Sequence, residues 1–127
     1  MEYPIEGNVT QTRRHRFAWN PEYDELAQDA AVVIGSRCRS IGRMDWSSMT
    51  QLFPSLDSNG VRQRLMRLRE DPALEAYLLR LENAWNNFWM QKRGTSILPD
   101  NNPENIFEFD LLGHVACLRR HIDKGSL

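Results

Sequence analysis

Trp19-Asn20-Pro21-Glu22-Tyr23-Asp24-Glu25-Leu26 decides how the chain starts to fold. Asn20 carries a side-chain oxygen that can accept from a free amide at a helix start. Pro21 has a fixed φ and lacks the N–H that a first-turn residue would leave unpaired. Glu22, Asp24 and Glu25 set negative charge against the positive end of the helix dipole. Behind this start, Tyr23, Leu26, Ala27, Ala30, Val33 and Ile34 recur at three- and four-residue spacing, which predicts a helix ending before Gly42, after Arg39.

Outward from that helix, Asp45 is placed to cap a short second one, with Trp46, Met49 and Phe53 on one face and Pro54 as its stop. A third helix starts near Asp57 or Ser58 and runs through Arg69, where Asp71-Pro72 ends it and opens a fourth. The fourth is predicted from Pro72 to Arg93, with Gly94 just past its end. Leu74, Tyr77, Leu78, Leu81, Trp85, Phe88 and Trp89 form its apolar stripe. At 1.5 Å per residue it should reach roughly 33 Å. Thr95 to Asn105 reads as a loop, and a last helix runs from Asp110 to Lys124 on Leu111, Val115, Leu118 and Ile122. No segment alternates with a period of two, so the expected class is all-α.

The 127 residues, 41% hydrophobic and 26% charged, suit one compact domain and argue against wholesale disorder. The longest apolar run, Ala30 to Ile34, is too short to cross a bilayer, and no secretory signal is visible, so no membrane role is expected. Cys38 and Cys117 stand far apart, which points away from a disulfide scaffold and towards a reducing compartment. The net charge of −1 hides an asymmetry: Arg13 to Arg69 holds ten Lys/Arg against six Asp/Glu, and Glu70 to Leu127 holds six against nine. Residues 1–12 read as a flexible leader, and Thr12-Arg13-Arg14-His15-Arg16 as a basic arm.

The stretch from Trp19 to Leu26 resembles the opening of a Myb/SANT-type three-helix domain, and Trp46 in Asp45-Trp46-Ser47-Ser48-Met49 resembles its second core tryptophan. Asn59-Gly60-Val61-Arg62-Gln63-Arg64-Leu65 resembles the recognition helix of such a domain. The likeness covers about residues 17–69, with a longer first helix and no third tryptophan, whose core place falls to Leu65 and Leu68. A wider pattern includes RFAWNPEYDELAQDAAVVIGSRCRSIGR, MDWSSMTQLFPSLDSNGVRQRLMRLRED, RGTSILPD and FDLLGHVACLRRHIDK. It resembles the Myb-like region of the largest, B-block-binding subunit of transcription factor IIIC, in its fungal form. That resemblance implies a homeodomain-like helix-turn-helix core over residues 13–71, including the basic arm, with residues 72–127 as a helical extension packed on it. It also implies a nuclear complex that recruits RNA polymerase III machinery to tRNA genes, with duplex DNA and sister subunits as partners.

On a 100° wheel, Val61, Leu65 and Leu68 share one narrow arc of the third helix and should face the core. Opposite lie Asn59, Gln63, Met66 and Arg67, with Arg62, Arg64 and Arg69 on the flanks. Amides can pair with adenine, arginines can read guanine or hold phosphates, and a methionine can touch a thymine methyl. Asn59 and Gln63 are therefore base-contact candidates, Arg62, Arg64 and Arg69 phosphate candidates, and Arg67 suits either role. Arg13, Arg14 and Arg16 would reach an adjacent minor groove, as arms of homeodomain-like folds do. Arg37, Arg39 and Arg43 would extend the positive surface. The plainer reading is a solvated face, its arginines paired with Glu70 and Asp71, and an arm that is only a linker or part of a nuclear-targeting signal.

A different class of function fits the acidic second half. Trp85, Phe88, Trp89, Ile106, Phe107 and Phe109 either enlarge the core or leave an apolar remnant that docks another subunit, as SANT-like modules do. His114, Cys117 and His121 lie on one side of the last helix, but positions seven apart are roughly 10 Å apart along the axis, too far to share a metal ion easily. Cys117 is expected to be a small buried hydrophobe and the histidines to sit at the core edge. No phosphate loop, nucleophile elbow or paired-carboxylate motif is present, so a non-enzyme without cofactor or small-molecule substrate is expected.

Overall fold

The structure, a computed structural model, describes residues 18–41, 46–56, 58–99 and 110–127. The leader, the arm, Asp45 and the later part of the Thr95–Asn105 loop lie outside the described residues. The described residues form four α-helices: α1 (Pro21–Ile41), α2 (Ser58–Leu68), α3 (Pro72–Lys92) and α4 (Leu111–Asp123). Among the described residues there is no strand, so the chain is all-α as its periodicity predicts. The second predicted helix is a six-residue 3-10 helix, Trp46–Gln51, in place of an α-helix. The tighter turn suits a short segment running into Pro54, since 3-10 hydrogen bonding is common in runs too brief to repay α nucleation.

The starts of α1, α3 and α4 show the chemistry their sequence announces. The Asn20 side chain accepts from the Tyr23 amide at 2.8 Å. Asp71 accepts from Ala73 at 3.0 Å with Pro72 behind it, and Asp110 accepts from Gly113 at 2.9 Å. Gly94, at φ 81°, takes the left-handed conformation that lets the chain leave α3.

α1 is the centre of the molecule. Its most extensive contacts are with α3 and α4, whereas α2 packs chiefly on the 3-10 helix and more lightly on α1. Ala27 and Ala30, both fully buried, let neighbouring helices approach closely, and Tyr23, Val32, Val33 and Ile34 fill the space on either side. One core results, in which Met49, Phe53, Val61, Leu65, Leu78, Trp85, Leu111, Val115 and Leu118 pack together with the buried residues of α1. Phe53 has Trp19 tilted against it at 5.4 Å and Tyr23 edge-on at 6.2 Å. Trp85 is stacked on Phe88, which in turn lies 4.5 Å from the His121 ring. Leu65 is buried and Leu68 partly buried, on the inward arc of their helix.

Two core expectations change. Tyr77 is 40% exposed, because Leu74, Leu78, Leu81, Trp85 and Phe88 already complete the buried stripe of α3 and Tyr77 falls to its side. Arg37 is buried, since it follows Val33 and Ile34 by one helical turn and shares their inward face; it does not extend a surface positive patch. The side chains of Arg39 and Trp46, and Arg43 altogether, lie outside the described residues.

In α4, Cys117 is fully buried, its Sγ 4.0 Å from the Ile97 carbonyl. His114 is buried, with Nδ1 2.7 Å from the Asp110 carbonyl oxygen. α4 is tied to α1 by Arg119, whose Nη2 reaches Asp29 at 2.6 Å and Glu25 at 2.8 Å. Burial pushes the Asp29 carboxyl above its ordinary range, and the Arg119 guanidinium opposes that shift.

Candidate nucleic-acid interface

α2 divides as its sequence predicts. Val61 and Leu65 are buried, while Asn59, Arg62, Gln63, Met66 and Arg67 are exposed, Met66 at 64%. The exposed residues follow helical spacing along one outward side of the 11-residue helix, so amide, guanidinium and thioether groups stand side by side from Asn59 to Arg67. No later segment among the described residues covers this side.

The flanking arginines behave differently. Arg64 turns back to α1, where its Nε and Nη2 donate to Asp24 Oδ1 and Oδ2 at 2.9 and 2.8 Å, and its guanidinium lies 5.8 Å from the Trp19 ring centre. Arg69 turns the other way, to α3. It donates to Glu75 at 2.5 and 3.1 Å and to both oxygens of Glu82 at 3.2 Å. These bonds raise the pKa of both guanidinium groups, through Asp24 for Arg64 and through Glu75 then Glu82 for Arg69. The same contact holds the Glu75 carboxyl below its ordinary range. Arg64 and Arg69 are thus the two clamps that seat α2, one to each neighbouring α-helix.

The partners of these arginines are not Glu70 and Asp71. Glu70 is exposed, and the Asp71 carboxylate caps α3. Arg13, Arg14 and Arg16 lie outside the described residues. Asp24 shows what sequence reading missed: at the start of α1 it looked like a helix-dipole residue, and nothing local marks it as the seat of an arginine 40 positions away. For Arg69 a faint signal existed, since Glu75 and Glu82 are seven apart and therefore share one face of α3.

A family model described as a family of unknown function, DUF6581, matches residues 13–126. The chain belongs to the DUF6581 family. The DUF6581 match runs from the basic arm through α4 without division, and the single core shared by all four α-helices agrees with that continuity. No curated protein and no solved structure matches the chain.

Proposed function

We propose that the outward side of α2 contacts duplex DNA, with Asn59 and Gln63 addressing base edges, Arg62 and Arg67 holding phosphates or guanine, and Met66 meeting a thymine methyl. The observation that carries this reading is the open row of Asn59, Arg62, Gln63, Met66 and Arg67 on a helix whose other side is locked into the core. A rigid helix presenting amides and cations loses little entropy on docking into a groove. Arg64 and Arg69 act as positioning residues, and their charge is compensated within the protein. On this proposal the arm of Arg13, Arg14 and Arg16 adds minor-groove or phosphate contacts. The Myb-like helix-turn-helix arrangement, the nuclear setting and a transcription factor IIIC-like complex at tRNA genes come with it through the sequence resemblance.

The test is fluorescence anisotropy with a tRNA-gene duplex at two salt concentrations. Replacing Arg62 and Arg67 with Ala is expected to weaken binding and to lower the salt slope by about two, one per phosphate contact. Equal affinity and equal slope for variant and wild type would reject the assignment. The internal compensation of Arg64 and Arg69 favours one alternative, a SANT-like module that docks a sister subunit without DNA. In that case duplex binding is absent at any salt concentration.

A further inference from the structure

A hollow of about 420 Å³ lies between α1, α2 and α3. Val32, Leu65 and Leu78 form its apolar floor, and all three are buried. Gly35 lines the same hollow from within α1. A glycine inside a helix destabilises it relative to alanine, and two ordinary circumstances account for one: a positive φ or a close neighbour. Gly35 has neither, because its φ is not positive and a Cβ built on it meets nothing within 4 Å among the described residues. What the missing side chain does here is keep the hollow open.

The rim carries charge. Arg69 and Glu82 stand on it but are joined to each other, with Glu75 completing the pair. Arg62 is also on the rim, and its guanidinium makes no hydrogen bond or ion pair among the described residues. Among the described residues, the net feature is one uncompensated cation beside an apolar floor, with the flexible thioether of Met66 as an adaptable wall. The volume falls in the range of small-molecule sites, about 300 to 1,000 Å³.

We propose that this hollow binds a small amphiphilic carboxylate, with its apolar chain over Val32, Leu65 and Leu78 beside Gly35 and its carboxylate on Arg62. The proposal does not depend on the DNA reading. The carboxylate supplies the anion that Arg62 lacks among the described residues, and the chain fills the space that the three helices leave between them.

Isothermal titration of the full chain with decanoate and with decan-1-ol tests it. Decanoate is expected to bind one-to-one and about tenfold more tightly than the alcohol, the size of one charge-assisted hydrogen bond. Arg62→Gln, an exposed change that leaves the core intact, removes that preference and leaves the alcohol's affinity unchanged. Gly35→Leu fills the hollow, abolishes binding of both probes and does not lower the melting temperature. Absence of decanoate binding, equal affinity for the two probes, or an Arg62→Gln chain that still prefers the acid would each overturn the proposal. DNA affinity measured on Gly35→Leu stays at the wild-type value, so failure here is distinguishable from failure of the α2 interface.

Discussion

Arg64 grips Asp24 through two parallel hydrogen bonds of 2.9 and 2.8 Å and so fastens α2 to the first turn of α1. A planar guanidinium facing a carboxylate is geometrically specific, and this one is only partly exposed, 27% for the arginine and 15% for the aspartate side chain. Arg64→Ala is expected to cost about 1 kcal/mol after allowing for solvent screening. Arg64→Lys should not restore it, because an ammonium cannot reproduce the fork. Urea denaturation of the two single variants and of the double variant with Asp24→Ala measures the coupling. An additive double variant would show that the pair contributes nothing.

Gln63 stands on the exposed side of α2 with no partner in the described residues. In the proposed DNA complex, Gln63→Ala should flatten sequence preference more than it reduces general affinity, since base contacts specify while phosphate contacts hold. Competition between a tRNA-gene duplex and its scrambled counterpart reads this directly. A uniform loss on both duplexes would move Gln63 out of the base-reading set.

The Arg69–Glu75 contact makes stability depend on acid. Hydrogen bonding to Arg69 lowers the Glu75 pKa from its ordinary 4.5, so the folded state prefers the ionised carboxylate. The stabilisation is present above pH 4.5 and is lost as pH falls through the lower, folded value. Thermal melts of wild type and Glu75→Gln should therefore differ most above that pH and converge in stronger acid. A difference that stays constant across the range would mean the two residues are not coupled.

Asp110 and Gly113 are coupled at the start of α4. The Asp110 carboxylate occupies the space where a Cβ on residue 113 would sit, 2.2 Å from Oδ2. Asp110→Ala is expected to cost about 1 kcal/mol through the lost cap. Gly113→Ala displaces the cap in the wild type, but in the Asp110→Ala background only the gain in helix propensity remains, about 0.5–1 kcal/mol. Chemical denaturation of the four chains should show this change of sign. An equal effect of Gly113→Ala in both backgrounds would remove the steric argument.

Local chemistry was legible where the signal was local. Asn20 with Pro21, Asp71 with Pro72, and Gly94 at φ 81° each mark a boundary through the backbone needs of a few adjacent residues. The split of α2 into a buried row and an exposed row followed from spacing alone, and so did the seam of Leu111, Val115 and Leu118. The pairing of the arginines was not legible. Arg62 and Arg67 look like Arg64 and Arg69 in sequence, yet the first two are exposed and the last two are clamped.

Sequence by itself determined that this chain is helical, where most of its α-helices begin and end, and which side of α2 is apolar, because capping and 3.6-residue periodicity act within one or two turns. Only the tertiary structure decided that α1 is the shared spine, that Arg64 and Arg69 face inward to carboxylates, and that Gly35 borders a hollow. Those outcomes depend on which helices come within a few ångströms of one another. The ion pair between Asp24 and Arg64 joins positions 40 residues apart, and Arg119 reaches Asp29 across 90. No short-range pattern encodes such distances; they arise when apolar faces bury one another and bring remote charges within reach.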